Sequence, residues 1–199
     1  MENNVSIARK IALTGAFSAL VVVLSVTPLG FISIGAASVT ILQIPVILAV
    51  LLGGLPSGAF VGAVFGIMSL INASLRPSGP LDPMFLNPLC SIAPRILFAV
   101  CAWGLWRLLK LIPKLPKTIS AGVTAFVSTL IHTVLVMGSL FIVFKAELAE
   151  VAQTTSFIGI LALVFTNALF EAIASTVVCV LVFAGLYISE KRKSKLSRQ

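Results

Sequence analysis

Residues 87–106 read NPLCSIAPRILFAVCAWGLW. The stretch is apolar over the length of a membrane crossing, which takes about 20 residues at about 1.5 Å of rise each. Asn87 stands where a helix N-cap belongs, and Pro88 occupies the first helical position. Pro94 and Arg95 follow inside the same segment. A proline within a helix leaves the carbonyl four residues earlier without its partner, here that of Cys90. In a membrane such a carbonyl must line a cavity or find another donor. A permanent positive charge buried among apolar residues has the same need for a partner or a wet cavity.

The rest of the chain repeats this apolar character. Of 199 residues, 59% are hydrophobic and 10% charged, and the mean hydropathy is +1.14. Soluble domains carry about 25% charged residues. The sequence therefore predicts an all-α, polytopic membrane protein: one bundle of six transmembrane helices over residues 1–199, with a basic tail at 190–199. The predicted spans are 8–28, 39–54, 58–73, 88–111, 118–144 and 156–189. They are separated by GGLPSG, SLRPSGPLDPMFLN, IPKLPK and KAELAEVAQTT among other turns. The second and third are short for a hydrocarbon layer of about 30 Å. Residues 39–73 can instead be read as one re-entrant hairpin, which leaves four full crossings. The sequence has no soluble domain and no internal repeat.

The net charge of +8 does not point to nucleic acid, because the basic residues gather at span ends. Arg9 and Lys10 form one group, Arg107, Lys110, Lys114 and Lys117 a second, and the tail SEKRKSKLSRQ a third. Six spans with a cytoplasmic N-terminus put all three groups inside, with Arg76, Lys145, Asp82, Glu147 and Glu150 in outer loops. Both termini are predicted cytoplasmic, and the tail is suited to anionic lipid headgroups. The apolar run after Arg9 and Lys10 has the order of a signal peptide, but it is long enough to span and further spans follow it. It is read as a retained first helix. Cys90, Cys101 and Cys179 lie in apolar runs without paired metal-ligand spacing and read as small core residues.

No P-loop, H-E-x-x-H or G-x-S-x-G occurs, nor any cluster of aspartates. No catalytic residue, metal or cofactor is assigned, and the chain is not read as an enzyme. Its chemistry rests on a few polar groups inside the spans. Arg95, His132 and Glu171 are ionisable, and Asn167 shares a helix face with Glu171 four residues on. Asn72 and Gln43 lie near the outer ends of their spans. Counted from the outer ends, Arg95 lies about 10 Å deep, Asn167 about 16 Å, His132 about 18 Å and Glu171 about 22 Å. An outward-facing cavity accounts for these depths. Arg95 is read either as an anion-binding group or as a salt bridge to Glu171. His132 is read as a hydrogen-bonded core histidine or a ligand contact, and Asn167 and Glu171 as helix glue or ligand contacts.

Small residues recur four apart on two helices. Ala8, Ala12 and Ala16 do so on the first, with Gly15 and Ala19 near that face, and Gly58, Gly62 and Gly66 on the third. Such stripes let helices approach closely in lipid. One stripe can serve packing within the bundle and the other a partner, and the sequence leaves open which is which.

Taken together, ARKIALTGAFSAL, ASVTILQIPVILAVLLGGLPSGAFVGAVFGIMSLINA and NPLCSIAPRILFAV resemble the substrate-binding S component of energy-coupling factor (ECF) vitamin transporters. The resemblance covers nearly the whole chain and is strongest to the pantothenate and riboflavin subgroup. It implies a prokaryotic plasma-membrane protein that captures a vitamin near the outer face. It also implies docking through the small-residue face of the first helix, here Ala8, Ala12 and Ala16, onto a transmembrane coupling subunit. Two separate ATPase subunits then supply the energy, and the loaded S component rotates in the membrane to release its cargo inward. Trp103, Trp106 and Tyr187 fall at the predicted cytoplasmic ends, which leaves phenylalanines for the outer half. A small hydroxylated acid fits that half better than a ring system. Arg95 would hold its carboxylate, and Asn72, Asn87 and Asn167 its hydroxyl and amide groups. Gln43, His132 and Glu171 complete the expected binding set. Pantothenate is the expected cargo. A riboflavin-binding S component, a stand-alone carrier and a ligand-free assembly subunit are the alternatives.

Overall fold

The computed structural model describes residues 7–27, 30–34, 37–77 and 79–196, with side chains outside 31–39 and 190–196. The end of the first predicted span at residue 28 and tail residues 197–199 lie outside the described residues. The fold is built around its shortest apolar helix. Helix α2 (Gln43–Gly53) carries apolar residues on every side, and nine of its eleven residues are buried. A helix that is apolar all round must be covered all round, and α2 is packed by α1 (Ile7–Val26), α3 (Leu55–Leu75), α5 (Ala93–Lys110), α6 (Lys117–Val143) and α8 (Phe157–Leu196).

The six-crossing expectation is met only in part, and this element is where the helix length falls short. Eleven residues cover about 16 Å, against a hydrocarbon core of about 30 Å. Residues 39–40 of the predicted second span are strand, not helix: β1 (Phe31–Ile34) and β2 (Ala37–Thr40) form a short antiparallel hairpin, with Phe31 opposite Thr40. The alternative of a re-entrant unit over 39–73 is also corrected, because α3 alone has 21 residues. Among the described residues, five helical segments are long and apolar enough to cross a membrane: Ile7–Val26, Leu55–Leu75, Pro88–Lys110, Lys117–Val143 and Phe157–Ser189. Gly54 joins α2 to α3 with φ of 87°, which lets a single residue reverse the chain.

The predicted fourth span is broken as its proline requires. Helix α4 (Pro88–Ser91) opens with Asn87 as N-cap, whose side chain accepts from the Leu89 N–H at 3.0 Å. Ile92 then interrupts the helix and α5 resumes at Ala93. Two elements went unanticipated in the polar connections. A 3-10 turn spans Asp82–Leu86, and α7 (Lys145–Ala152) fills the segment between α6 and α8.

Packing falls into two regions. A large cluster surrounds α2 and includes Phe65, Phe98, Ala99 and Ala125. A second joins Leu81, Met84, Cys90, Val136, Met137, Leu140, Leu148, Ile160 and Val164 at the opposite end, where the 3-10 turn and α7 cover the bundle. The outward faces carry exposed apolar side chains such as Ile142, Ile158, Phe60 and Leu181.

Candidate functional site

A cavity of about 320 Å³ opens where α1 and α3 end and where α5 and α8 begin. Its lining includes Ser69 and Asn72 of α3, Arg76 at its C-cap, Arg95 of α5, His132 and Thr133 of α6, and Asn167 and Glu171 of α8. The second apolar cluster contributes Leu81, Val136, Met137 and Val164 to the wall. Five of the seven residues expected in the binding set therefore meet at one cavity: Arg95, Asn72, Asn167, Glu171 and His132.

Arg95 is placed by the helix break. Pro94 offers no N–H to the Cys90 carbonyl, and the Arg95 guanidinium turns back to donate to it through Nη1 at 2.6 Å. Phe65 and Phe85 face the guanidinium carbon with ring centroids at 5.4 and 5.0 Å. Arg95 is 5% exposed and its Nε has no hydrogen-bond partner among the described residues. Helix α3 lies against this backbone through glycine. A Cβ at Gly62 would sit 2.7 Å from the Arg95 carbonyl oxygen, and one at Gly66 would sit 2.6 Å from the Ile92 Cα.

Glu171 finds partners other than Arg95. Its Oε1 accepts the Thr40 backbone N–H at 2.6 Å and its Oε2 accepts from Gln43 Nε2 at 3.2 Å. Thr40 Oγ1 donates to Gln43 Oε1 at 2.8 Å, which closes the group. The carboxylate thus ties α8 to the start of α2, where the helix dipole also favours negative charge. Gln43 is fully buried and stands behind the cavity wall as the partner of Glu171. Asn72 uses its Nδ2 on the Ser25 carbonyl at 3.0 Å, joining α3 to α1. Asn87 is absent from the lining, and its side chain caps α4.

His132 departs from the expectation of a hydrogen-bonded core histidine. It is 5% exposed, its ring centroid lies 4.9 and 5.7 Å from those of Phe98 and Phe65, and among the described residues neither ring nitrogen has a partner. Ser69 is also 5% exposed with an unpartnered hydroxyl. Sequence reasoning passed over Ser69 and Arg76. Serine is common in membrane helices, so Ser69 carried no signal of its own. Arg76 looked like an ordinary loop charge, yet it lines the cavity and donates from Nη1 to the Val26 carbonyl at 3.1 Å. Ser69, Asn72 and Arg76 follow at steps of three and four, and that spacing was the available clue.

Trp103 and Trp106 lie far along α5 from Arg95, where Arg107 and Lys110 cover their rings at 5.3 and 4.7 Å. The ring-bearing residues on the cavity lining are Phe85 and His132. No group of three or more His, Cys, Asp or Glu side chains could hold a metal among the described residues.

The two small-residue stripes have different environments. Gly58 and its successors on α3 press against α2, α4 and α5. Ala8, Ala12, Gly15, Ala16 and Ala19 on α1 are exposed, and a Cβ at Gly15 would meet nothing within 4 Å.

Comparison with known proteins gives a consistent result. The family described as "ECF transporter, substrate-specific component" matches residues 9–183. The pantothenic acid transporter PanT of Lactococcus lactis subsp. cremoris is 26% identical over 194 residues, covering 90% of this chain and 94% of that protein. The pantothenate transporter PanT of Leuconostoc mesenteroides subsp. mesenteroides is 35% identical over 102 residues, 49% of each chain.

Proposed function

Because the chain belongs to the substrate-specific components of ECF transporters, we propose that it is the pantothenate-capturing subunit of an ATP-driven importer in a prokaryotic plasma membrane. The cavity faces outward, and both termini and the basic loop at 107–117 face the cytoplasm. Arg95 holds the vitamin carboxylate. Asn72 and Asn167 lie on the same lining as polar contacts for the rest of the molecule, and Glu171 and Gln43 shape the wall.

The observation that carries this reading is the buried guanidinium at the cavity. One edge is engaged by the Cys90 carbonyl, and Nε has no partner among the described residues. An unpaired polar atom on a buried cation is costly, and a ligand carboxylate is the group that guanidinium binds best. The cavity volume of about 320 Å³ lies near the low end of small-molecule sites, about 300–1,000 Å³. That size suits a short open-chain acid better than a flavin, and both PanT relatives are described as pantothenate transporters. Equilibrium dialysis of the purified protein against labelled pantothenate and riboflavin tests the choice. Pantothenate alone should be retained. Retention of riboflavin in its place, or of neither, would overturn the substrate assignment.

The exposed alanine stripe of α1 is the proposed docking face for a transmembrane coupling subunit, through which two ATPase subunits act. Close approach of helix backbones in lipid needs small residues, and here those residues are not used inside the bundle. The apolar outward faces suit a subunit surrounded by lipid that must reorient in it.

A further inference from the structure

The polar residues around the cavity divide according to whether the protein already satisfies them. Both Glu171 oxygens are engaged by Thr40 and Gln43, Asn72 Nδ2 by Ser25, and Arg95 Nη1 by Cys90. Four buried atoms on the lining residues have no partner among the described residues: Ser69 Oγ, Arg95 Nε, and both nitrogens of His132. Buried polar atoms are rarely left this way. Arg95 answers to an anionic group, but Ser69 and His132 answer to something else.

We infer that Ser69 and His132 are specificity-determining residues that read the hydroxyl groups of the ligand, on the α3 and α6 walls of the cavity beside Arg95. The inference rests on the pantothenate reading and deepens it. Serine hydroxyl and imidazole each give and accept hydrogen bonds. A hydroxyl on the ligand does the same, so it pairs with either whichever way the proton lies. Phe65 and Phe98 both pack against the His132 ring and limit its rotation. Phe65 also faces Arg95 and lies one helical turn before Ser69, which puts the three groups near one aromatic residue. A ligand of similar shape without hydroxyls leaves Ser69 and His132 buried and unpaired. A site built to bond a hydroxyl rejects such an analogue strongly.

Titration calorimetry of the protein in detergent with two ligands tests this. One is pantothenate, and the other is N-(3,3-dimethylbutanoyl)-β-alanine, which keeps the carboxylate, amide and branched carbon skeleton without either hydroxyl. The wild type should prefer pantothenate by about tenfold or more. Ser69→Ala and His132→Phe should each weaken pantothenate and leave the analogue almost unaffected, so that the preference shrinks. Arg95→Lys should weaken both ligands by similar factors. Phenylalanine packs against Phe65 and Phe98 in place of imidazole, and Ser69→Ala only removes an oxygen, so thermal denaturation should show folded variants. Equal weakening of both ligands by Ser69→Ala and His132→Phe, or no effect on either, overturns the inference. Failure of the wild type to bind pantothenate overturns the substrate reading and this inference with it.

Discussion

Arg95 shows how one side chain can meet two demands. Its position after Pro94 places the guanidinium within reach of the carbonyl that the proline leaves unbonded, and the 2.6 Å contact to Cys90 uses that proximity. Part of the reason for an arginine in an apolar segment is therefore local and structural. The rest of the residue borders the cavity, and in the proposed function it meets the ligand carboxylate. Lysine at this position can satisfy one acceptor well but lacks the planar fork needed for carbonyl and carboxylate together. Arg95→Lys is expected to reduce pantothenate affinity by about tenfold or more, as loss of a charge-assisted hydrogen bond implies. The melting temperature of the unliganded protein should change little. Calorimetry and a thermal scan of the same preparation check both halves. The sequence offered two readings of Arg95, an anion site and a salt bridge to Glu171. Glu171 bonds instead to Thr40 and Gln43, residues whose proximity depends on a 131-residue and a 128-residue separation in the chain. Spacing along one helix carries no information about such partners.

At the scale of elements, the contrast between α1 and α3 is informative because their small-residue patterns look alike in the sequence. Gly66 sits so close to the α4–α5 junction that an added methyl would lie 2.6 Å from the Ile92 Cα and 2.8 Å from the Ser91 carbonyl oxygen. Both are backbone atoms, so relief requires moving a helix. Gly66→Ala should cost about 1–3 kcal/mol of stability by overpacking and should weaken ligand binding by displacing Arg95. Gly15→Ala meets open space on α1 and should leave stability within about 0.5 kcal/mol. Chemical denaturation of the two variants in parallel measures the difference. Helix α2 makes the complementary point. Its apolar run is readable as a membrane crossing from composition, but its length and all-round burial make it the hub of the bundle.

For the whole molecule, the division of surfaces suggests a division of labour. The cavity lies where α1 and α3 end and α8 begins, while the alanine stripe runs from the start of α1 along its exposed side. A bulky residue on that stripe should leave the cavity intact and obstruct a partner. Ala12→Leu is therefore expected to retain wild-type pantothenate affinity and thermal stability, and to lose co-purification with the coupling subunit and ATPases. Tagged wild-type and variant chains, expressed with the partner subunits, give the comparison. Loss of ligand affinity with complex formation preserved would contradict the assignment of α1.

Amino-acid order alone carried the membrane environment and most of the candidate site. Hydropathy over span lengths requires lipid, the basic clusters mark span ends, and Asn87-Pro88 starts α4 because capping is a local matter. Rare polar residues inside apolar runs marked Arg95, His132, Asn167 and Glu171, since such residues are expensive without a purpose. The remainder depended on how the helices pack in space. The structure showed that residues 37–40 pair as strand and that α2 is limited to eleven residues, buried on all sides. It separated the satisfied Glu171 from the unsatisfied His132 and Ser69. It also left the alanines, not the glycines, facing outward. The physical reason is the same in each case: burial and hydrogen-bond satisfaction are set by which helices meet, and those contacts join residues far apart in the chain.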